Sequence, residues 1–114
     1  MKNECTACCP PRRPIAGEDV DVLARRFKAM GHPTRLAILA MIRDAEDSLC
    51  ACEIEASFEL SQPTISHHLR QLKDAGLIHA VRRGTWMHFH LAPEGVEALE
   101  RFVGRLAPAK TTYS

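Results

Sequence analysis

Apolar residues recur every three or four positions along much of the chain, which is the spacing that places them on one face of a helix. The first such series predicts a helix over residues 19–30 that ends before Gly31. Its apolar members are Val20, Leu23, Phe27 and Met30. A second series predicts a helix that opens at His32-Pro33, because proline is favoured near the first helical position. Its predicted buried face is formed by Leu36, Ile38, Leu39 and Ile42.

Two further helices are predicted close together, with a tight turn between them. Residues 50–58 form the first helix, and Glu59-Leu60 form the turn. Ser61 is a favoured N-cap for the second helix, over residues 62–75, and Gly76 is a favoured residue to end it. The buried face of this second helix is formed by Ile65, Leu69 and Leu72. The pair is therefore predicted to be a helix-turn-helix.

After Gly76 the apolar period changes from that of a helix to that of a strand. β-Branched residues over 77–81 and alternation over 86–91 predict a hairpin with Arg83-Gly84 at its tip. Pro93 opens a final helix, with apolar positions at Val96, Leu99, Phe102, Val103 and Leu106. A hairpin directly after a helix-turn-helix makes a winged helix-turn-helix. The predicted fold is mainly α, with about five helices and one hairpin as an α+β wing.

The two ends of the chain lack this periodicity. Residues 1–18 are rich in cysteine and proline and predict a flexible metal-binding arm. The winged domain then covers residues 19–107, and residues 108–114 form a frayed tail. The N-terminus has no apolar core typical of a signal peptide, and no run approaches the ~18–20 apolar residues that span a bilayer. A cytoplasmic location without membrane contact is therefore expected.

Charge is distributed unevenly along the 114 residues, of which 46% are hydrophobic and 25% charged. Such values are ordinary for one globular domain, and they argue against a two-domain enzyme or a disordered chain. The net charge of +1 is an average. Residues 61–90 hold four Lys or Arg against one Asp or Glu, a net of +3, whereas residues 1–60 hold eight against ten, a net of −2. The helix-turn-helix and hairpin thus carry the local positive charge that phosphate binding requires.

The second helix of the pair carries polar side chains suited to reading DNA. Glutamine pairs with adenine, arginine with guanine, and serine or threonine with either. Because the N-terminal part of a recognition helix faces base edges, the predicted base readers are Gln62, Thr64, Ser66 and His67. Ser61 and Arg70 are the predicted phosphate contacts of this helix. Arg82 and Arg83 at the hairpin tip are predicted to reach phosphate or the adjacent minor groove. A merely solvated face would carry similar residues, and His68 either joins the DNA contacts or packs against the wing.

Five cysteines in a cytosolic chain indicate metal or redox chemistry more than disulfides. Soft thiolates prefer soft ions such as Cd(II), Zn(II) and As(III). Cys50 and Cys52 lie at the start of a predicted helix, where the helix N-terminus lowers a thiol pKa. Side chains two positions apart diverge on a helix, so this pair can hold one ion only if the helix starts late or unwinds there. Burial as small hydrophobic residues is the structural alternative.

The arm carries further thiols that can complete a site. As(III) takes three sulfurs in a pyramid, and Cys8 and Cys9 can supply what Cys50 and Cys52 lack. Cys5 and Cys8 form a C-x-x-C, so a four-thiolate site for Cd(II), Pb(II) or Zn(II) is an alternative. Thiol redox sensing is a third possibility for the same residues.

The segments GHPTRLAILAMI, SQPTISHHLRQLKDAGL and RRGTWMHFHL resemble the ArsR/SmtB family of metal-responsive repressors, and especially its arsenite-responsive branch. The resemblance covers about residues 19–106. It implies a homodimer joined through residues 19–30 and 94–106, which binds a palindromic operator until a metal or metalloid releases it. As(III) is the implied inducer, with Sb(III) as a second one. The resemblance also implies that the arm of one subunit meets the Cys-x-Cys helix of the other.

The last helix departs from relatives that bind metal there with Asp, His and Glu. It has Glu94, Glu97 and Glu100 but neither His nor Asp, so a zinc sensor using that site is not expected. No Gly-rich phosphate loop, carboxylate pair or Ser/His/Asp arrangement is visible, which argues against an enzyme. The expected partners are double-stranded DNA and a second copy of the chain, with no organic cofactor and no other protein.

Overall fold

The computed structural model describes residues 10–11 and 19–107. The predicted arm, apart from Pro10 and Pro11, and the predicted tail over 108–114 lie outside the described residues. The described elements are α1 Val20–Met30, α2 Pro33–Asp44, β1 Leu49–Cys50, α3 Ala51–Ser57, α4 Gln62–Asp74, β2 Ile78–Arg83, β3 Trp86–Leu91 and α5 Pro93–Leu106. This order confirms the predicted winged helix-turn-helix. None of the helices in the described part of the chain is long and apolar enough to cross a membrane.

Side-chain caps determine where the helices begin. The carboxylate of Asp19 opens α1 by accepting from two amides of its first turn. His32 opens α2, as predicted, because its Nδ1 accepts from the Thr34 amide at 3.1 Å. At the start of α4, the Oγ of Ser61 accepts from the Thr64 amide at 3.3 Å. Each cap satisfies an amide that has no partner inside its own helix.

A glycine ends α4 and turns the chain into the wing. Gly76 has a φ of 78°, a left-handed conformation in which glycine avoids the strain of a Cβ. The Gly76 amide donates to the carbonyl of Lys73 at 2.9 Å, and the Leu77 amide donates to that of Leu72 at 3.1 Å. This pair of bonds is a Schellman motif. Leu72 and Leu77 are both fully buried, so the same motif anchors the turn in the core.

The wing is larger than the predicted hairpin, because a third strand joins it. The antiparallel sheet has the order β1-β3-β2, and Leu49 pairs with Phe89 while Cys50 pairs with His88. β2 and β3 are joined by Gly84-Thr85, since Arg83 pairs directly with Trp86. Gly84 has a φ of 65° and no described non-glycine residue has a positive φ, which identifies a type II′ turn.

The core is mostly aliphatic and lies between the helices and the sheet. Its fully buried side chains are Ile38, Ile54, Ile65, Leu72, Leu77 and Ile78. The predicted burial of Leu36 is wrong, because this side chain is 50% exposed. α2 instead presents Ile38, Leu39 and Ile42 to the core, and Leu36 lies outside that stripe.

α5 approaches the end of α4 closely through two glycines. A Cβ added at Gly95 would overlap the carbonyl oxygen of Gly76, so the two backbones are in direct contact. Arg26 of α1 strengthens the same junction by donating from Nε to the carbonyl of Ala75 at 3.1 Å. The start of α5, the end of α4 and the middle of α1 therefore form one rigid joint.

This contact predicts opposite effects of the same substitution at two glycines of α5. Gly95→Ala should lower the free energy of unfolding by about 2–4 kcal/mol, because the backbone of the α4–β2 turn must move. Gly104→Ala should raise it by about 0.5–1 kcal/mol, because nothing lies within 4 Å of the added Cβ and alanine favours the helix. Urea unfolding measures both variants. A stabilised Gly95→Ala variant would contradict the close contact.

Candidate functional site

The exposed face of α4 carries the side chains predicted to read DNA. Ile65, His68, Leu69 and Leu72 are the buried positions of this helix. The exposed positions predicted to contact DNA are Ser61, Gln62, Ser66, His67 and Arg70. Thr64 is half-buried, and its hydroxyl lies 2.9 Å from the Ser61 Oγ within the cap. The arrangement therefore offers an accessible polar stripe whose first two hydroxyls are also engaged in capping the helix.

Arg82 and Arg83 are both exposed near the tip of the wing, but they lie on opposite faces of β2. Arg82 pairs with Met87 across the sheet, on the face toward α4. Arg83 lies on the other face and donates to the carboxylate of Asp47 at 3.3 Å. An exposed pair of this kind contributes ~0–1 kcal/mol, so a phosphate can compete for Arg83.

A groove of about 360 Å³ separates α4 from the wing. Its floor is apolar and is formed by Ala51, Leu69, Ala80, Met87 and Phe89. Two cations, Arg70 and Lys73, line its α4 side. Neither has a described ion-pair partner among residues 19–107, so both remain available to an anion on the wing side of α4.

His68 packs against α2 and does not belong to the exposed stripe of α4. Its side chain is buried, and the guanidinium of Arg35 donates to its Nδ1 at 3.1 Å. Its ring centroid lies 4.5 Å from that of His32. Burial lowers the pKa of His68 below its ordinary value of 6.5, and electrostatic interactions with His32, Arg35 and His67 lower it further. The imidazole is thus held neutral as an acceptor for Arg35.

Cys50 and Cys52 converge at the start of α3. Cys50 is the N-cap, with extended backbone at φ −75° and ψ 143°, so the helix begins only at Ala51. The Cys50 Sγ accepts from the Cys52 amide at 3.4 Å, while Glu53 accepts from the Cys50 amide at 2.9 Å. The two Sγ atoms lie 2.6 Å apart. The condition that the sequence set for a shared ion, a late helix start, is therefore met.

The expectation of a lowered thiol pKa at the start of the helix is wrong for Cys52, whose pKa is raised overall. Its hydrogen bond with the Cys50 sulfur raises the pKa of Cys52, and burial and the carboxylate of Glu53 raise it as well. The backbone amide at the helix start lowers it, but by less than those effects. Within residues 19–107, no group of three or more His, Cys, Asp or Glu is positioned to hold a metal ion. The other predicted ligands, Cys5, Cys8 and Cys9, lie outside the described residues.

The thiol pair is connected to both candidate DNA-reading elements. Cys50 belongs to β1 and pairs with His88 of the wing, a contact that sequence reasoning missed. Two residues are too few to show strand alternation, so the pattern held no signal for β1. On the other side, the side-chain amide of Gln62 in α4 donates from Nε2 to the carboxylate of Glu55 in α3 at 3.2 Å. Cys50 therefore contacts the wing directly, whereas its connection to α4 runs along α3 to Glu55.

Comparison with known proteins identifies related regulators. Residues 32–80 match the family described as "Bacterial regulatory protein, arsR family". An uncharacterized HTH-type transcriptional regulator of Methanocaldococcus jannaschii is 39% identical over 89 residues, covering 78% of this chain and 99% of the relative. An arsenic resistance transcriptional regulator of Pseudomonas putida is 43% identical over 68 residues, covering 60% of this chain and 52% of the relative.

Two further proteins extend the comparison. A homolog of a cadmium resistance transcriptional regulatory protein from Staphylococcus aureus is 33% identical over 88 residues, covering 77% of this chain and 72% of the relative. A solution structure from Mycobacterium bovis, described as a homodimeric winged helix-turn-helix DNA-binding domain, superposes with a TM-score of 0.63. It is 28% identical, and the match covers 81% of this chain and 89% of that one. The winged helix-turn-helix prediction is confirmed by this match, and the relatives are regulators rather than enzymes.

The burial of His68 predicts that the free energy of unfolding falls at acidic pH. The unfolded chain protonates His68 near its ordinary pKa of 6.5, but the folded chain does so only at lower pH. Between these two values the unfolded state binds more protons, so the contribution of the neutral His68 to stability is complete above about pH 6.5 and is lost as the pH drops toward the folded pKa. His68→Asn keeps an acceptor for Arg35 without a titrating ring. It should cost about 1–3 kcal/mol at pH 7.5 and flatten the loss of stability toward pH 5.5.

Urea unfolding at several pH values measures this effect. The comparison variant is His67→Asn, which replaces an exposed neighbour that makes the smallest contribution to the shift of His68 and should change the pH dependence less than His68→Asn does. An unchanged slope in His68→Asn would assign the acid sensitivity to other groups.

Proposed function

The chain belongs to the arsR family of bacterial regulatory proteins, and on that premise we propose that it is a homodimeric repressor released from a palindromic operator by As(III). Sb(III) is proposed as a second inducer. The observation that carries this proposal is the convergence of Cys50 and Cys52 at the start of α3, a helix whose N-cap pairs with the wing and whose Glu55 accepts a hydrogen bond from Gln62 of α4. Soft thiolates in that position suit a thiophilic ion.

The DNA-binding part of the proposal rests on exposure and charge. α4 would enter the major groove with Gln62, Ser66 and His67 toward the base edges, and with Thr64 near the helix start. Ser61, Arg70, Arg82 and Arg83 are the proposed contacts to the sugar-phosphate backbone. Their cations belong to the segment of net charge +3, whereas the preceding half of the chain is acidic.

The proposed dimer joins α1 and α5 of two copies. Large apolar side chains remain exposed on these helices, at Val20, Val103 and Leu106. Within one copy, Phe27 of α1 and Phe102 of α5 already pack edge to face, with ring centroids 5.9 Å apart. The two helices thus form one surface in each copy, and the related Mycobacterium bovis domain is described as homodimeric. An apolar patch of this kind is typical of a subunit interface.

The proposed inducer site combines Cys50 and Cys52 of one subunit with Cys8 and Cys9 from the arm of the other subunit. A bound As(III) would take three of these thiolates as ligands. The Cys50 sulfur at present accepts from the Cys52 amide, so a sulfur committed elsewhere leaves the first turn of α3 without its cap. Cys50 also pairs with His88, so any adjustment of its backbone changes the base of the wing.

A Cd(II), Pb(II) or Zn(II) response through four thiolates is the second candidate function. The similarity to the cadmium resistance regulatory protein homolog favours it, as does the C-x-x-C formed by Cys5 and Cys8. X-ray absorption on the loaded protein separates the two proposals. Three sulfurs around arsenic support the first, whereas tight binding of cadmium by four sulfurs supports the second.

Replacing both helix thiols should separate induction from DNA binding. Serine is a favoured N-cap, so the variant carrying Cys50→Ser and Cys52→Ser keeps the start of α3 and should bind operator DNA with affinity within about threefold of the original. It should lose release by arsenite, which fluorescence anisotropy of a labelled operator fragment measures directly.

Cys5→Ser serves as the control and should keep the full arsenite response. A full response in the double variant would contradict the assignment of Cys50 and Cys52. Release by peroxide or diamide, but not by micromolar arsenite, would instead favour redox sensing.

Arg83→Ala should weaken DNA binding similarly on operator and unrelated sequences. Because each phosphate contact releases counterions, the slope of log affinity against log salt should become shallower by about one. Asp47→Ala is the matched control, since it removes only the acidic partner of Arg83 and should leave the slope unchanged or steeper. An unchanged slope in Arg83→Ala would place this side chain away from the DNA.

A further inference from the structure

A second cleft, of about 220 Å³, flanks α4 on the side away from the wing. It lies between α4 and the first two helices. Its polar lining consists of Arg25 and Lys28 of α1, Arg35 of α2, and Gln71 and Asp74 of α4. Three of these side chains are basic and one is acidic, so the cleft has a positive charge that the candidate DNA contacts do not include.

The basic groups of this cleft differ in mobility. Arg35 is held in place, because its Nε donates to the Ala29 carbonyl at 2.6 Å and its NH1 group donates to His68 at 3.1 Å. Arg25 and Lys28 are exposed, and neither has a described acidic partner in residues 19–107. A guanidinium held by the fold beside two accessible cations is suited to binding an oxyanion.

The position of the cleft relative to α4 indicates which oxyanion it meets. Ser66, Arg70 and Lys73 line the wing-side groove, whereas Gln71 and Asp74 line the cleft. The exposed stripe of α4 therefore lies between two regions that both carry basic side chains. A helix in the major groove of DNA likewise has a phosphate strand on each side.

We propose that the α1–α4 cleft binds a phosphate of the DNA strand that borders the major groove opposite the wing. This inference rests on the proposed DNA-binding function and extends the interface to Arg25, Lys28 and Arg35. Gln71 adds an amide donor to the same phosphate. Asp74 is the acidic side chain among the described residues that line the cleft, and it opposes anion binding, so its removal has the reverse effect.

The test compares the salt dependence of DNA binding among charge variants. The variant with Arg25→Gln and Lys28→Gln should bind operator and unrelated DNA with similarly reduced affinity, and its slope should be shallower by about one to two. Asp74→Asn should strengthen binding to both DNAs. The control is Arg43→Gln, which removes an exposed charge at the far end of α2, where its partner is Asp44, and should change the slope least. Thermal unfolding confirms that each variant is folded.

The remaining outcomes separate this inference from the proposed function. If Arg83→Ala flattens the slope but the double variant behaves like Arg43→Gln, the cleft is not a DNA contact and only this inference fails. If the unaltered protein binds no operator DNA, both proposals fail. Titration with inorganic phosphate, followed by NMR, covers the other source of the anion. Tight phosphate binding in the cleft together with an unchanged DNA slope would overturn the inference and assign the cleft to a free anion.

Discussion

The extended backbone at Cys50 is the constraint on which the two candidate functional regions depend. In that conformation the residue pairs with His88 in the sheet, caps α3 and turns its sulfur toward Cys52. A helical residue at this position could do none of these, because it would leave the sheet and point its side chain away. One backbone conformation therefore joins the base of the wing, the first helix of the helix-turn-helix and the thiol pair. The wing is joined to Cys50 itself, and α4 is joined to the helix that begins after Cys50.

Local sequence signals were sufficient for most of the fold. Ser61 and Gly76 mark the two ends of α4, and both act as predicted because capping and left-handed turns strongly favour these residue types. β1 was missed because a strand of two residues exists only through its partner β3. Leu36 was predicted to be buried on the strength of its spacing. The neighbouring elements determine which residues at the edge of an apolar stripe are covered. The sequence of one helix does not contain that information.

The candidate site shows the same limit. The polar stripe of α4 is visible in the sequence, because exposed recognition residues need no partner within the chain. His68 is polar like the residues of that stripe, so its sequence does not distinguish it from them. It is nevertheless buried, and it bonds to Arg35, which lies 33 positions earlier in the chain. The acidity of Cys52 was likewise expected from the helix start alone, whereas the adjacent Cys50 sulfur outweighs it. Long-range contacts determine the chemistry of both side chains, and these contacts follow from the packing of α2, α3 and the sheet.

The contact between Gly95 and Gly76 has a consequence for the spacing of an operator. It fastens α5, a helix of the proposed dimer interface, to the end of α4 without any intervening side chain that could adjust by rotating. In a dimer joined through α5, the separation and relative rotation of the two recognition helices would therefore be nearly constant. Such a dimer would fit only half-sites that lie at one distance and one rotation along the DNA. It would tolerate changes of base within a half-site more readily than an inserted base pair between half-sites, which rotates one binding surface away around the DNA axis.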